Sequence, residues 1–143
     1  MFRTLTPNLS VAPQISLEEV NDAARQGFTL IINNRPDGED FDQPTGAEIE
    51  ATAKALGLDY VAIPITHAGF SKPQVDAMLA AVSRPDAKIL AYCRSGTRST
   101  LVWALARSAA GEDGDALAAI AANAGYDLSP IRPIMDQLRA HAG

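Results

Sequence analysis

Three short apolar runs, each followed by a helical pattern, constrain the fold of this chain more than any other feature of its sequence. The runs are FTLIIN (28–33), DYVAIPI (59–65) and KILAYC (88–93), and each is rich in β-branched or aromatic residues and bounded by loop residues. Runs of this kind are typical of buried parallel strands. FRTLTP and LSVAPQ, near the start of the chain, are weaker strand candidates.

Helix starts are predicted between these runs wherever Ser or Thr is followed three residues later by Glu or Gln, the pattern of a capping box. The pattern occurs at Ser16, Thr45 and Ser71. The alternation of strands and helices predicts one α/β domain over residues 1–143, with three layers and a mainly parallel sheet flanked by helices.

Three further helices are predicted after residue 98. STLVWALARSAAGE has Ser99 as a possible cap, and DALAAIAANAG is ended by Gly125. The third is PIRPIMDQLRAHAG (130–143), where Ser129 and Pro130 have the residue types of a cap and a first helical position, and Pro133 still fits a first turn.

Composition excludes several classes of function. With 47% hydrophobic and 20% charged residues, a chain of this length can bury a full core. The net charge of -5 argues against a nucleic-acid-binding surface. No segment approaches the roughly 18 apolar residues that a membrane span needs, and the first residues lack a signal-peptide pattern, so we expect a cytoplasmic protein without membrane partners. One cysteine is too few for a zinc site, and the carboxylates lack calcium-loop spacing, so we expect no metal and no cofactor.

The single cysteine, Cys93, lies between the predicted strand ending at Tyr92 and the helix predicted to start near Ser99. Gly96 can adopt a positive φ there, so that successive N–H groups turn inward and form an anion-binding cradle at a helix N-terminus. The sequence therefore predicts Cys93 and Arg98 as catalytic residues. The anion-binding loop is predicted to consist of Arg94, Ser95, Gly96, Thr97 and Ser99.

Two interpretations of the thiol compete. A lone cysteine after an apolar strand is most often a small core residue. Two arginines in a glycine-containing loop instead favour a reactive thiolate, because a guanidinium and a helix N-terminus both stabilise the ionised sulfur.

The loop also resembles known proteins. The strand, the Cys-to-Arg turn and the following helix are similar to the active-site loop of cysteine-dependent phosphatases and of rhodanese sulfurtransferases. FRTLTPNLSVAPQISLEEV, LIINNRPDGE, GLDYVAIPI and AYCRSGTRS resemble the phosphatase-like domain of beta-lactamase-hydrolase-like proteins. This resemblance implies a fold similar to dual-specificity phosphatases, in a family of which some members are named sulfur transferases.

Loop spacing bears on the reaction. Phosphatases of this type carry five residues between Cys and Arg, usually with His before the Cys, whereas here four residues separate Cys93 from Arg98 and Tyr92 precedes the cysteine. A shorter loop has a smaller cradle, which suits one sulfur atom better than a phosphate ester. The sequence thus favours a sulfurtransferase that forms a Cys93 persulfide from thiosulfate or another persulfide and passes sulfur to a thiol acceptor. The alternatives are a phosphatase-like hydrolase that forms a phosphocysteine, and a non-catalytic anion-binding or redox-sensing module.

The presence of a proton donor is a second feature that distinguishes a phosphatase from a sulfurtransferase. A phosphatase of this class protonates its leaving group with an Asp on the loop after the preceding strand, but IPITHAGFSKP contains no carboxylate. His67 is a possible substitute in that loop. In NNRPDGEDFDQPT (33–45), Arg35 is a candidate for anion binding and Asp37 for an acid, although this segment also fits a solvated acidic loop.

Overall fold

All five strands predicted from the sequence form one sheet. The computed structural model, which describes residues 2–142, has strands β1 (Arg3–Thr6), β2 (Leu9–Ala12), β3 (Leu30–Asn33), β4 (Asp59–Ala62) and β5 (Ile89–Tyr92). Their spatial order is β1-β2-β5-β3-β4, with β1 antiparallel to β2 and the other neighbours parallel. The predicted mainly parallel sheet is confirmed.

Six α-helices among residues 2–142 surround the sheet. They are α1 (Leu17–Arg25), α2 (Gly46–Ala55), α3 (Lys72–Val82), α4 (Thr97–Ala109), α5 (Gly114–Asn123) and α6 (Arg132–Ala140). The first three begin directly after the predicted Ser16, Thr45 and Ser71, each of whose backbone N–H donates to the Glu or Gln side chain three residues on. Among the described residues, no helix is long and apolar enough to cross a membrane.

The strands bury alternate side chains in two separate cores, as the period of two requires. Leu30, Ile32 and Ile89 point to one face, where they pack with buried residues of α3, α4, α5 and α6. Ile31 and Leu90 point to the other face, where they meet α1 and α2. These two cores confirm the predicted three layers.

Register brings four loops together at one edge of the sheet. Tyr92 at the end of β5 is paired with Ala12 of β2 and Asn33 of β3, and Asn33 is paired with Ala62 of β4. The chain leaves all four parallel strands at this row of residues. Open α/β sheets place ligand sites at this edge, because the loops that follow the strands converge there.

The helix predicted to begin near Ser99 begins two residues earlier. Gly96 is the residue before α4 and has φ +89°, and its carbonyl accepts hydrogen bonds from the backbone N–H and the hydroxyl of Thr100. Ser99 therefore lies buried inside the first helical turn and does not cap the helix. The loop between β5 and α4 contains four residues, Cys93 to Gly96, whereas the predicted strand end at Tyr92 and helix start near Ser99 would leave about six.

The last predicted helix is interrupted. Ser129–Ile131 forms a 3₁₀ turn and α6 starts only at Arg132. Pro133 has no N–H to donate to the Ser129 carbonyl, so a continuous α-helix from Ser129 would lack that bond. The Ser129 hydroxyl and N–H instead both donate to the Asp127 carboxylate.

The capping box of α2 provides a test of the local sequence signals. We expect Thr45→Ala to lower the free energy of unfolding by about 0.5–2 kcal/mol, because it removes the hydroxyl that accepts from the Glu48 N–H. Thr52→Ala in the same helix is the control, since its hydroxyl only donates back to the Glu48 carbonyl. Equal losses for both variants in urea unfolding would contradict the assigned cap.

Candidate active site

Cys93 lies at the floor of the loop that joins β5 to α4. Its side chain is buried, and its Sγ accepts a hydrogen bond from the Gly96 N–H at 3.1 Å. The positive φ of Gly96 turns the chain from this loop into α4, a conformation that a residue with a side chain would adopt only at a cost. This turn is the start of the predicted cradle.

The other residues predicted for the anion-binding loop lie around this turn and at the start of α4. Arg94, Ser95 and Thr97 are exposed, and the Ser95 hydroxyl both donates to the Thr97 hydroxyl at 3.0 Å and accepts from the Thr97 N–H at 3.4 Å. Ser99 is fully buried, and its Oγ has no hydrogen-bond partner among residues 2–142. The N–H groups in the first turn of α4 face the loop without helical partners, as at any helix start.

Arg98 is oriented by three of its five N–H donors. Nη1 donates to Glu39 Oε2 and to the Ile65 carbonyl, and Nη2 donates to Glu39 Oε1, each at 2.7 Å. The two remaining donors, on Nε and Nη2, share one edge of the guanidinium. The Cys93 side chain is among the groups that raise the pKa of Arg98, which indicates that the guanidinium lies near the sulfur. The spacing of the two remaining donors matches two oxygens of a phosphate or a similar anion.

Glu39 is held between two arginines. Besides Arg98, it accepts from Arg35 Nε at 2.8 Å, and Arg35 also donates to Asp40 at 2.8 Å and to Gln14 at 3.0 Å. Arg35 is only 4% exposed. All three of its nitrogens are engaged within the protein, so the structure places Arg35 behind Glu39 as a support and not on the anion-binding surface.

This arrangement shifts the ionisation of Glu39 and Arg98. Hydrogen bonds from Arg98, together with those from Arg35, lower the pKa of Glu39 to about 2 against the opposing effect of burial. The Glu39 carboxylate in turn raises the pKa of Arg98. Glu39 is therefore fully ionised at neutral pH and fixes the guanidinium as a permanent cation.

The other predicted residues occupy different places. Arg94 is largely exposed at the rim, with Nη2 at 3.8 Å from Asp40. Asp37 accepts from the Gly46 N–H at 2.8 Å, so its carboxylate is bound at the start of α2. His67 is exposed in the turn between Thr66 and Gly69, two residues after the carbonyl that binds Arg98.

Several residues of the site were not predicted from the sequence. Glu39 and Asp40 could have been found, because they follow Arg35 by four and five residues in a loop that leaves a strand at the ligand-binding edge. Tyr126, whose hydroxyl donates to the Ser95 carbonyl at 3.2 Å, carries no such signal, because it lies on a distant segment. Among the described residues, no cluster of three or more His, Cys, Asp or Glu side chains could hold a metal ion.

Removing the charge of Glu39 should weaken both the site and the fold. In Glu39→Gln we expect a loss of about 1.5–3 kcal/mol of stability at neutral pH, because charge-assisted hydrogen bonds to two arginines are lost. The folded-state pKa lies below the ordinary value of 4.5, so this contribution is complete above pH 4.5 and disappears as the pH falls toward about 2. The difference in the free energy of unfolding between wild type and Glu39→Gln is measured by urea unfolding from about pH 7 down to about pH 3.

Glu50→Gln is the matched control for this variant. Glu50 pairs with Lys54 on the exposed face of α2, where an ion pair contributes about 0.2–1 kcal/mol at most. If Glu39→Gln lowered the free energy of unfolding no more than Glu50→Gln does, the ion pairs of Glu39 with Arg35 and Arg98 would be energetically unimportant. The same would follow if the difference in stability between Glu39→Gln and wild type did not become smaller in acid.

The chain is similar in sequence to proteins of one known family. Residues 1–110 match the family model described as the phosphatase-like domain of beta-lactamase hydrolase-like protein. A beta-lactamase hydrolase-like protein of Xylella fastidiosa (strain Temecula1) is 30% identical over 125 residues, which are 87% of this chain and 29% of that protein. The chain thus spans less than a third of the length of that relative.

Two solved structures are also similar. A candidate phosphatase from Neisseria meningitidis is 31% identical, with a TM-score of 0.83 over 96% of this chain and 97% of the other. Kinase associated phosphatase, whose catalytic site contains a cysteine, is 12% identical with a TM-score of 0.75 over 99% and 93% of the two chains, which is a likeness of fold. With its cysteine loop and its matched residues, the chain belongs to the family of the phosphatase-like domain of beta-lactamase hydrolase-like proteins.

Proposed function

We propose that this domain is a cysteine-dependent phosphatase that hydrolyses phosphate monoesters through a phosphocysteine on Cys93. The observation that carries the proposal is Arg98 near Cys93, with three of its five N–H donors held by Glu39 and the Ile65 carbonyl. Membership of a phosphatase-like family supports the same reaction. The sulfur transfer preferred from the four-residue spacing lacks this support, and the comparisons favour its phosphatase alternative.

In the first step, the Cys93 thiolate attacks phosphorus, so that an S–P bond forms while the ester O–P bond breaks. Arg98 and the loop N–H groups hold the non-bridging oxygens, on which charge accumulates in the transition state. In the second step, water attacks phosphorus, the S–P bond breaks and inorganic phosphate leaves with Cys93 restored as a thiolate. The sulfur thus acts as a covalent nucleophile.

The carboxylates bound to the arginines of the site are poor proton donors to the leaving group. Glu39 and Asp40 are the carboxylates bound to the arginines of the site, and both accept hydrogen bonds from Arg35. The loop after β4 offers only His67, which is exposed. General acid catalysis contributes about 10²–10⁴-fold, so we expect aryl phosphates, whose leaving groups need little protonation, to react far faster than alkyl phosphates.

The proposed nucleophile and anion ligand can be tested by hydrolysis of an aryl phosphate. We expect Cys93→Ser to abolish turnover, because it removes the thiolate, and Arg98→Lys to lower kcat/KM by about 10²-fold or more, because an ammonium cannot hold two oxygens and Glu39 at once. Arg107→Lys, near the far end of α4 and paired with Glu112, is the control for Arg98→Lys and should retain activity.

Folding of each variant is checked by its thermal unfolding. Turnover that persists in Cys93→Ser would falsify the mechanism, and rapid hydrolysis of alkyl phosphates by the wild type would contradict the absence of a strong general acid.

A second candidate function is sulfur transfer, which one observation specifically favours. Only four residues separate Cys93 from Arg98, and the helix begins directly after Gly96, so the cradle is small. In this reaction the Cys93 thiolate attacks the outer sulfur of thiosulfate, an S–S bond forms and sulfite leaves with its electron pair. A thiol acceptor then takes the outer sulfur from the persulfide.

Intact mass and a loop insertion separate the two functions. After incubation with thiosulfate, a Cys93 persulfide would add about 32 Da, reversibly on addition of a thiol. If loop size decides the reaction, inserting one glycine between Gly96 and Thr97 should raise aryl phosphate hydrolysis and weaken any persulfide formation. Absence of the mass gain in the wild type, together with aryl phosphate turnover, would eliminate sulfur transfer.

A further inference from the structure

Tyr126 contacts the cysteine loop from a segment that follows α5. Its hydroxyl donates to the Ser95 carbonyl at 3.2 Å, 31 residues away in sequence. A Cβ placed on Gly96 would lie 2.2 Å from Tyr126 Oη and 3.0 Å from Cζ, so the phenol lies directly against the Gly96 backbone. Gly96 therefore needs to lack a side chain for two reasons, its positive φ and this contact.

The backbone that Tyr126 contacts is the part of the loop that binds the sulfur. The Ser95 carbonyl and the Gly96 N–H belong to the same peptide group, and that N–H donates to Cys93 Sγ at 3.1 Å. Because a peptide group is planar, fixing the carbonyl fixes the direction of the N–H. On the other side, the Gly96 carbonyl is bound by Thr100.

Tyr126 is itself held in place from several directions. It is 9% exposed, and its N–H donates to the Ala121 carbonyl at 2.9 Å. The guanidinium of Arg3 lies 5.4 Å from the ring centroid and donates to the Ala124 carbonyl at 2.9 Å. Burial raises the pKa of the Tyr126 hydroxyl, so it remains a protonated donor at neutral pH.

We propose that Tyr126 is a positioning residue that aims the Gly96 N–H at Cys93 Sγ and thereby stabilises the thiolate. It acts through the Ser95–Gly96 peptide group and does not itself touch a substrate. The inference rests on the proposed function only in taking Cys93 as the nucleophile, and it holds for phosphate and for sulfur chemistry alike. Tyr126 also lies beyond residues 1–110, which the family model matches.

The test compares Tyr126→Phe with wild type by the rate of Cys93 alkylation with iodoacetamide as a function of pH. The plateau rate at high pH reports access to the sulfur, whereas the midpoint reports how well the thiolate is stabilised. We expect the midpoint to rise by about 0.4–1.1 pH units, the equivalent of one net hydrogen bond. On an aryl phosphate, kcat should fall by about 3–10-fold with little change in KM.

Tyr60→Phe is the matched control. Tyr60 is half-buried, and its hydroxyl accepts one hydrogen bond from the Asn33 side chain, on the opposite face of the sheet from Tyr126. We expect its alkylation midpoint to equal that of wild type. As a second variant, Arg3→Gln should raise the midpoint in the same direction by a smaller amount, because it releases the ring without removing the hydroxyl.

The outcomes are distinct. A midpoint that stays at the wild-type value in a folded Tyr126→Phe protein, or one that shifts equally in Tyr60→Phe, would overturn the positioning role. A shifted midpoint in a protein without phosphatase turnover would uphold the role of Tyr126 while refuting the proposed phosphatase function.

Discussion

The bidentate ion pair between Arg98 and Glu39 is the interaction on which the rest of the site depends. It fixes the guanidinium from behind, and Arg35 and the Ile65 carbonyl complete the support. An unpaired arginine could swing through many rotamers, and ordering it on binding would cost affinity. With three donors engaged, the guanidinium is held in one orientation.

The same network balances charge at the sheet edge. Three arginines, at positions 35, 94 and 98, interact with the two carboxylates of Glu39 and Asp40, which leaves one positive charge in the group. That charge is available to a thiolate or to a bound anion. Arg35 is buried, and an unpaired charge there would carry a large desolvation penalty. Its ion pairs with Glu39 and Asp40 offset that penalty.

The fold supplies this geometry through its strand register. The loops after β3, β4 and β5 provide Glu39, the Ile65 carbonyl and Cys93, and they meet because the ends of these strands lie in one row. Tyr126 adds a contact from outside the sheet. The site is therefore assembled from four segments that are remote in sequence, which explains why a local pattern reveals only part of it.

The strands and the first three helix starts were predicted correctly, because interactions between residues close in sequence determine them. The strands followed from apolar runs, and the helix starts at Ser16, Thr45 and Ser71 followed from side chains that bond within four residues. The start of α4 was placed too late, because the sequence does not show that Gly96 ends the loop. Arg35 was expected on the surface of the site, but its burial depends on Glu39, Asp40 and Gln14.

The proposed roles of Cys93 and Arg98 are tested most directly by a crystal structure of the protein with orthovanadate, an anion that mimics the phosphoryl transition state. We expect vanadium bonded to Cys93 Sγ, two of its oxygens on Nε and Nη2 of Arg98, and an unbroken pair between Arg98 and Glu39. Vanadate bound away from Cys93, or an Arg98 that leaves Glu39 to reach it, would contradict the proposed mechanism.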